Sequence, residues 1–132
     1  SHTHKTLKKF RKDYPDDELF FVAGSDIFAT IGTWQHWREL FELSNFIVVN
    51  RSTVSFDELL SRIPLELKER VVSPQDFNGE KEGKIILYHM PEVDISSTEI
   101  RVMLDAEYRR ANLPEDVYKF IDDNKLYGRT ND

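Results

Sequence analysis

The sequence predicts an α/β protein, a parallel sheet covered by helices on both faces. Three observations predict it. Apolar runs at residues 18–23, 45–49 and 84–90 are nearly unbroken, as expected of strands buried on both sides. Stretches with apolar residues at helical spacing separate those runs. No hairpin signal joins one run to the next, so the connections are right-handed crossovers that place helices over the sheet.

Each element has its own justification. A helix is expected from Thr3 or His4 to Tyr14, with Leu7, Phe10 and Tyr14 on one face. Pro15, Asp16 and Asp17 make a turn. The strand at 18–23 stops at Gly24, and a short helix carries Ile27 and Phe28. Residues 35–43 form a second helix, with Trp37, Leu40 and Phe41 inward, followed by the strand at 45–49. Ser55 with Glu58 is a capping box that opens a helix running to about Arg62. Pro64 starts a further helical turn. Val71 and Val72 are a weak strand, and the charged, glycine-bounded segment 78–83 is expected to be mobile. The strand at 84–90 leads through a loop to helices near 97–106 and 114–124. No repeat or linker interrupts the chain, so 1–132 is read as a single domain.

Composition narrows the function. With 39% hydrophobic and 12% aromatic residues the chain belongs with folded proteins rather than disordered ones. A net charge of −6 argues against a general nucleic-acid binder, which carries a basic surface, yet leaves room for a local phosphate site. No apolar run is long enough to span a bilayer and no signal peptide is evident, so no membrane role and a cytoplasmic location are expected. The absence of cysteine removes disulfides, thiolate metal sites and cysteine nucleophiles.

The most informative stretch is Ile95-Ser96-Ser97-Thr98-Glu99-Ile100-Arg101, which lies between the last strand and apolar residues at helical spacing, Ile100, Met103 and Leu104. Hydroxyls at a helix start cap its free amides, and the same amides with the helix dipole seat an anion. A guanidinium there adds planar donors matched to phosphate oxygens. The plain alternative is an ordinary cap, with Arg101 paired to Glu99 or Asp105. Gly24 ends a strand either as a simple turn or to let a ligand approach the backbone. Asp26 serves equally as an acceptor for a ribose hydroxyl or as a cap. Trp34, beside Gly32 and Thr33, lies outside the helical stripe; it packs under the loop or offers a stacking face. Thr3 is first of all a cap, and Arg51 a surface ion pair or a phosphate ligand. The four histidines predict no protein metal site: His2 and His4 are too close on a helix start to share a face, His36 stands alone and His89 ends a strand.

Taken whole, the 95–101 string resembles the carboxy-terminal Ile-Ser-Ser-Thr-x-Ile-Arg signature of the nicotinate-nucleotide adenylyltransferases, a branch of the nucleotidyltransferase superfamily. Three further segments resemble that family in order. Residues 1–7 are similar to its Ser-Tyr-Thr-x-Asp-Thr-hydrophobic helix start, with His2 and Lys5 departing from the usual tyrosine and aspartate. Phe21-Val22-Ala23-Gly24-Ser25-Asp26 with Thr33-Trp34-Gln35-His36-Trp37 resembles its Gly-x-Asp loop and Trp-x-x-Trp segment. Residues 113–118 and 124–128 resemble its last helix. The family's opening Gly-x-Phe-x-Pro-x-His-x-Gly-His loop has no counterpart here. The resemblance therefore implies a Rossmann-like sheet of nucleotidyltransferase type, lacking its N-terminal βα units.

The resemblance also implies a reaction, adenylyl transfer from ATP to nicotinate mononucleotide, with Mg²⁺ accompanying ATP. Gly24, Asp26, Ser96, Ser97, Thr98 and Arg101 would bind ATP, with Arg101 catalytic. Thr3, Trp34, Gln35 and Arg51 would bind the mononucleotide. A different acceptor, nicotinamide mononucleotide or phosphopantetheine, and a non-catalytic nucleotide-binding fragment are the alternatives. Without the histidine loop, little or no turnover is expected of these 132 residues alone.

Overall fold

The computed structural model describes residues 2–50, 55–89, 99–102, 119, 120 and 122–124. Helix α1 (His2–Asp13) buries Leu7 and ends in Arg11 and Lys12, cations that suit the negative end of a helix. Strand β1 (Leu19–Gly24) is buried at all six positions. It passes into the one-turn helix α2 (Ser25–Phe28) and a 3₁₀ turn (Ile31–Thr33). Helix α3 (Trp37–Leu43) begins two residues later than the sequence predicts, because His36 adopts a left-handed backbone with φ 58°. Strand β2 (Asn45–Asn50) is again buried throughout. Helix α4 (Phe56–Arg62) opens as the capping box requires, with the Glu58 amide donating to Ser55 Oγ at 3.3 Å. A 3₁₀ helix (Leu65–Arg70), strand β3 (Val71–Val72), a 3₁₀ turn (Pro74–Asp76), strand β4 (Ile85–His89) and strand β5 (Glu99–Val102) follow.

The five strands lie in the order β3-β4-β2-β1-β5. The first four are mutually parallel, as alternation of strands and helices predicts. One face of the sheet, Phe21, Ala23, Phe46, Val48 and Ile85, packs with Leu7, Phe28, Leu40, Leu59 and Leu67 from the surrounding helices. Phe46 on the central strand β2 organises this layer: its ring lies 4.4 Å from Phe41, 5.1 Å from Phe21 and 5.5 Å from Phe28. On the opposite face Phe20 meets Phe77 at 5.4 Å and Tyr88 stacks on Phe120 at 3.6 Å. Residues 119, 120, 122 and 123 are helical, in keeping with the expected last helix, so both faces are covered.

Two expectations need correction. The segment 78–83 is tied down rather than loose. The Arg11 guanidinium donates to the carbonyls of Lys81, Leu43, Asp17 and Tyr14 at 2.8 to 3.1 Å, gathering the ends of α1, α3 and this loop. Buried Asn45 donates to the Glu80 carbonyl at 2.8 Å and accepts from the Lys84 amide at 3.0 Å, and the Gly83 amide donates to the Ser44 carbonyl at 3.0 Å. These bonds satisfy backbone groups that sequence composition assigned to solvent. The second correction concerns the helix predicted near 97–106. Its described part, Glu99–Val102, is a strand antiparallel to β1, with Phe20 opposite Arg101 and Val22 opposite Glu99. The apolar β1 edge offers unpaired amides and carbonyls, and Ile100 and Val102 also alternate with period two, so pairing outweighs the helical spacing of Ile100 with Met103 and Leu104. The rest of that predicted helix lies outside the described residues.

Candidate functional site

Parallel strands bring their carboxyl ends to one edge, where α/β proteins bind ligands. Gly24 lies opposite Val49, and Asn50 opposite His89, so the ends of β1, β2 and β4 meet there. Gly24 has φ −71° and ψ 153°, an extended conformation open to any residue, so a left-handed turn is not what selects glycine at this strand end. Ser25 Oγ donates to Oδ1 of Asn50 at 3.1 Å, linking α2 to the end of β2, and Asn50 is only 2% exposed. Between them opens a hollow lined by Ser25, Asp26, Asn50, Ser55 and Arg62, with Ala29 and Leu59 as its apolar wall. Asp26 is exposed; its Oδ1 accepts the Ile27 amide at 3.0 Å. Arg62 holds Glu58 at 2.8 Å on the outer side. Hydroxyl, amide, carboxylate and guanidinium groups on a small apolar wall suit a polar ligand such as a ribose.

Of the residues expected from sequence, Asp26 lines this hollow, and Gly24 directly precedes its Ser25. Asn50 and Arg62 were not expected. Asn50 had a signal, a lone amide closing the apolar run Ile47-Val48-Val49, whereas Arg62 reads as an ordinary helix-surface charge. Trp34 is half-buried after the Ile31–Thr33 turn, where its indole Nε1 donates to Thr30 Oγ1 at 2.9 Å and its ring lies 6.0 Å from Phe21. Thr3 lies in the first turn of α1 and exposed Gln35 immediately follows Trp34. Arg51, Ser96, Ser97 and Thr98 lie outside the described residues. The backbone of Arg101 sits in β5 opposite Phe20, four residues before Gly24, about 13 Å along the strand from its carboxyl end.

The expectation that His36 stands alone is corrected. Its ring stacks on His4 with centroids 4.6 Å apart, and the His4 ring is hydrogen-bonded to the carboxylate of Glu39. Thirty-two residues of sequence separate the two imidazoles, and the packing of α1 on α3 unites them. That hydrogen bond, opposed in part by desolvation, holds the Glu39 carboxyl below its ordinary range.

The sequence matches a known protein family over most of its length. The cytidylyltransferase-like model covers residues 2–103. The chain belongs to that family. Curated relatives within reach of its sequence include the probable nicotinate-nucleotide adenylyltransferases of Idiomarina loihiensis and Shewanella woodyi, each 34% identical over 96% of this chain. A third, from Clostridium novyi, is 38% identical over 76% of the chain and 45% of the relative. The chain spans about 61% of the length of the first two relatives. Membership of the family agrees with the four parallel strands of the α/β sheet. Among the described residues no helix is long and apolar enough to cross a membrane.

Proposed function

We propose that this chain is the later part of an enzyme transferring the adenylyl group of ATP to nicotinate mononucleotide. The observation that carries the reading is the polar hollow at the joined ends of β1 and β2, lined by Ser25, Asp26 and Asn50. The names and similarity of the curated relatives support the choice of substrates. In the reaction, a phosphate oxygen of the mononucleotide forms a bond to the α-phosphorus of ATP. The bond from that phosphorus to the bridging oxygen breaks, and pyrophosphate leaves with the electron pair. The nucleophile comes from the substrate, so the protein's task is positioning and charge stabilisation.

Asp26 accepts a ribose hydroxyl through the carboxylate oxygen left free by the Ile27 amide, and Gly24 lets the nucleoside approach β1. Trp34 offers its exposed side to the pyridine ring, with Thr3 and Gln35 holding the nicotinate carboxylate and Arg51 the phosphate. Ser96, Ser97, Thr98 and Arg101 grip the departing phosphates. For Arg101 this requires residues 99–102 to leave the β1 edge and join the carboxyl end of the sheet in the whole protein, with another strand taking that edge. Mg²⁺ would accompany ATP and supply positive charge to its phosphates. A protein-built Mg²⁺ cage does not fit the hollow: among the described residues Asp26 is its sole carboxylate lining, and three potential ligands are grouped only at His4, His36 and Glu39.

The test uses the enzyme with its complete amino-terminal region. Trp34→Ala is expected to raise KM for nicotinate mononucleotide about tenfold, equivalent to about 1.4 kcal/mol, with a smaller effect on ATP. Arg101→Ala is expected chiefly to lower kcat. Unchanged mononucleotide kinetics in the first variant would remove Trp34 from the site, and unchanged turnover in the second would remove Arg101. Side-by-side kinetics with the acid and amide mononucleotides decide the acceptor. The isolated 132 residues are expected to show little turnover, and normal activity from them would overturn the division of labour assumed here.

A further inference from the structure

The geometry points to a transition-metal site at the junction of α1 and α3, built from His4, His36 and Glu39 and fit for a borderline dication such as Zn²⁺. Each residue offers one ligand atom, and the three atoms lie within 4.8 Å of one another. One point therefore stands no more than about 2.8 Å from all three (4.8/√3), against about 2.0–2.2 Å for zinc bound to imidazole nitrogen or carboxylate oxygen. Binding takes side-chain rotations: the His4–Glu39 contact widens to admit the ion, and the His36 ring turns out of its stack to aim its lone pair. Glu39 is about half exposed at its side chain and His36 is exposed, so both can make them, while His4 is held at 8% exposure as the fixed member.

Two imidazoles and one carboxylate form a known zinc donor set that leaves a fourth position for water. The groups facing the site are these three and Lys8, whose ammonium is 3.9 Å from the Glu39 carboxylate. Lys8 is mostly exposed and free to turn into solvent when a dication arrives. A metal ion would take the place of the hydrogen joining His4 to Glu39, so the contact already present is the seat the ion would use. His36 supports the same reading. It is the one described non-glycine residue with positive φ, at 58°, and that backbone turn lays its ring on His4. The site joins two helices, so occupancy would stabilise the fold. This inference is independent of the nucleotide reading.

The experiment titrates the tag-free chain, stripped with chelator, with Zn²⁺ by calorimetry and with Co²⁺ by visible absorption. One ion per chain, a rise in Tm with metal, and loss of about tenfold or more in affinity in both His36→Ala and Glu39→Gln are expected. Both substitutions are at exposed or half-exposed positions, so folding of the variants is expected and is checked by Tm without metal. Absence of stoichiometric binding, or affinity unchanged in both variants, overturns the site. So does binding abolished by His2→Ala but kept in His36→Ala, which would assign the ion to the terminal amine and His2.

Discussion

At the scale of single residues, two side chains hold together parts of the chain that composition cannot connect. Arg11 is mostly buried, and desolvation, only partly offset by Glu82, Asp17, Glu18 and Asp16, pulls its pKa below the ordinary arginine value. It remains charged and spreads its donors over five carbonyls. Arg11→Ala is expected to cost about 3 kcal/mol, and Arg11→Lys to recover little of it because an ammonium lacks the planar fork. Urea unfolding of the two variants measures both. Glu39 makes a pH-dependent contribution. Its folded carboxyl titrates below the reference value of 4.5, chiefly through the hydrogen bond from His4. The stabilisation is therefore complete above that value and lost as pH falls through the folded pKa. In chelator, Glu39→Gln is expected to flatten the fall of stability as pH drops below the reference value of 4.5, relative to the parent. Equal slopes would show that the His4–Glu39 contact contributes nothing in solution. Neither residue announced its partner in the sequence, since Arg11 reads as a helix-end cation and Glu39 as a surface acid. Their partners are assembled by helix packing, which periodicity does not encode.

At the scale of elements, the strands were the most legible part. Leu19-Phe20-Phe21-Val22-Ala23 and Phe46-Ile47-Val48-Val49 are apolar at consecutive positions, and only burial on both faces explains that pattern. The capping box at Ser55 was legible for the same reason, because its hydrogen bonds are local. The segment 78–83 was not, since glycine and charge mark exposure but not tethering. Gly83 has φ 97°, and a methyl group there would come 3.0 Å from an Arg70 guanidinium nitrogen and 3.4 Å from the Phe41 carbonyl. Gly83→Ala is expected to destabilise the chain by about 1–2 kcal/mol from backbone strain alone, read as a lower midpoint in urea with unchanged slope. The segment 99–102 was illegible because its apolar residues satisfy two periods at once. Which one forms depends on what lies against β1, a tertiary fact.

At the scale of the whole molecule, a parallel sheet sets the address of the site before any side chain is considered. Gly24, Asn50 and His89 end neighbouring strands, so whatever binds at this edge touches three separate parts of the sequence. The sequence located the edge through Gly24 and Asp26. It missed Asn50 and Arg62, whose proximity depends on strand order and on the helix that returns after β2. The anion seat expected at 96–98 lies outside the described residues, and Arg101 is paired by its backbone near the start of β1. The family resemblance and the sheet edge thus compete for one short segment. Hydrogen exchange on the isolated chain and on the complete enzyme can follow that competition at the β1 amides.

Asn45, at the opposite end of β2 from Asn50, has a reach that its location conceals. Its carboxamide grips Glu80 and Lys84 on either side of the turn that launches β4, which fixes the phase in which Ile85 meets Phe46. A slip of one position would invert every side chain of β4 and carry His89 out of line with Asn50. The lip of the hollow at the sheet's carboxyl edge therefore inherits its alignment from an amide some 16 Å away along the strand, at about 3.3 Å for each of five steps.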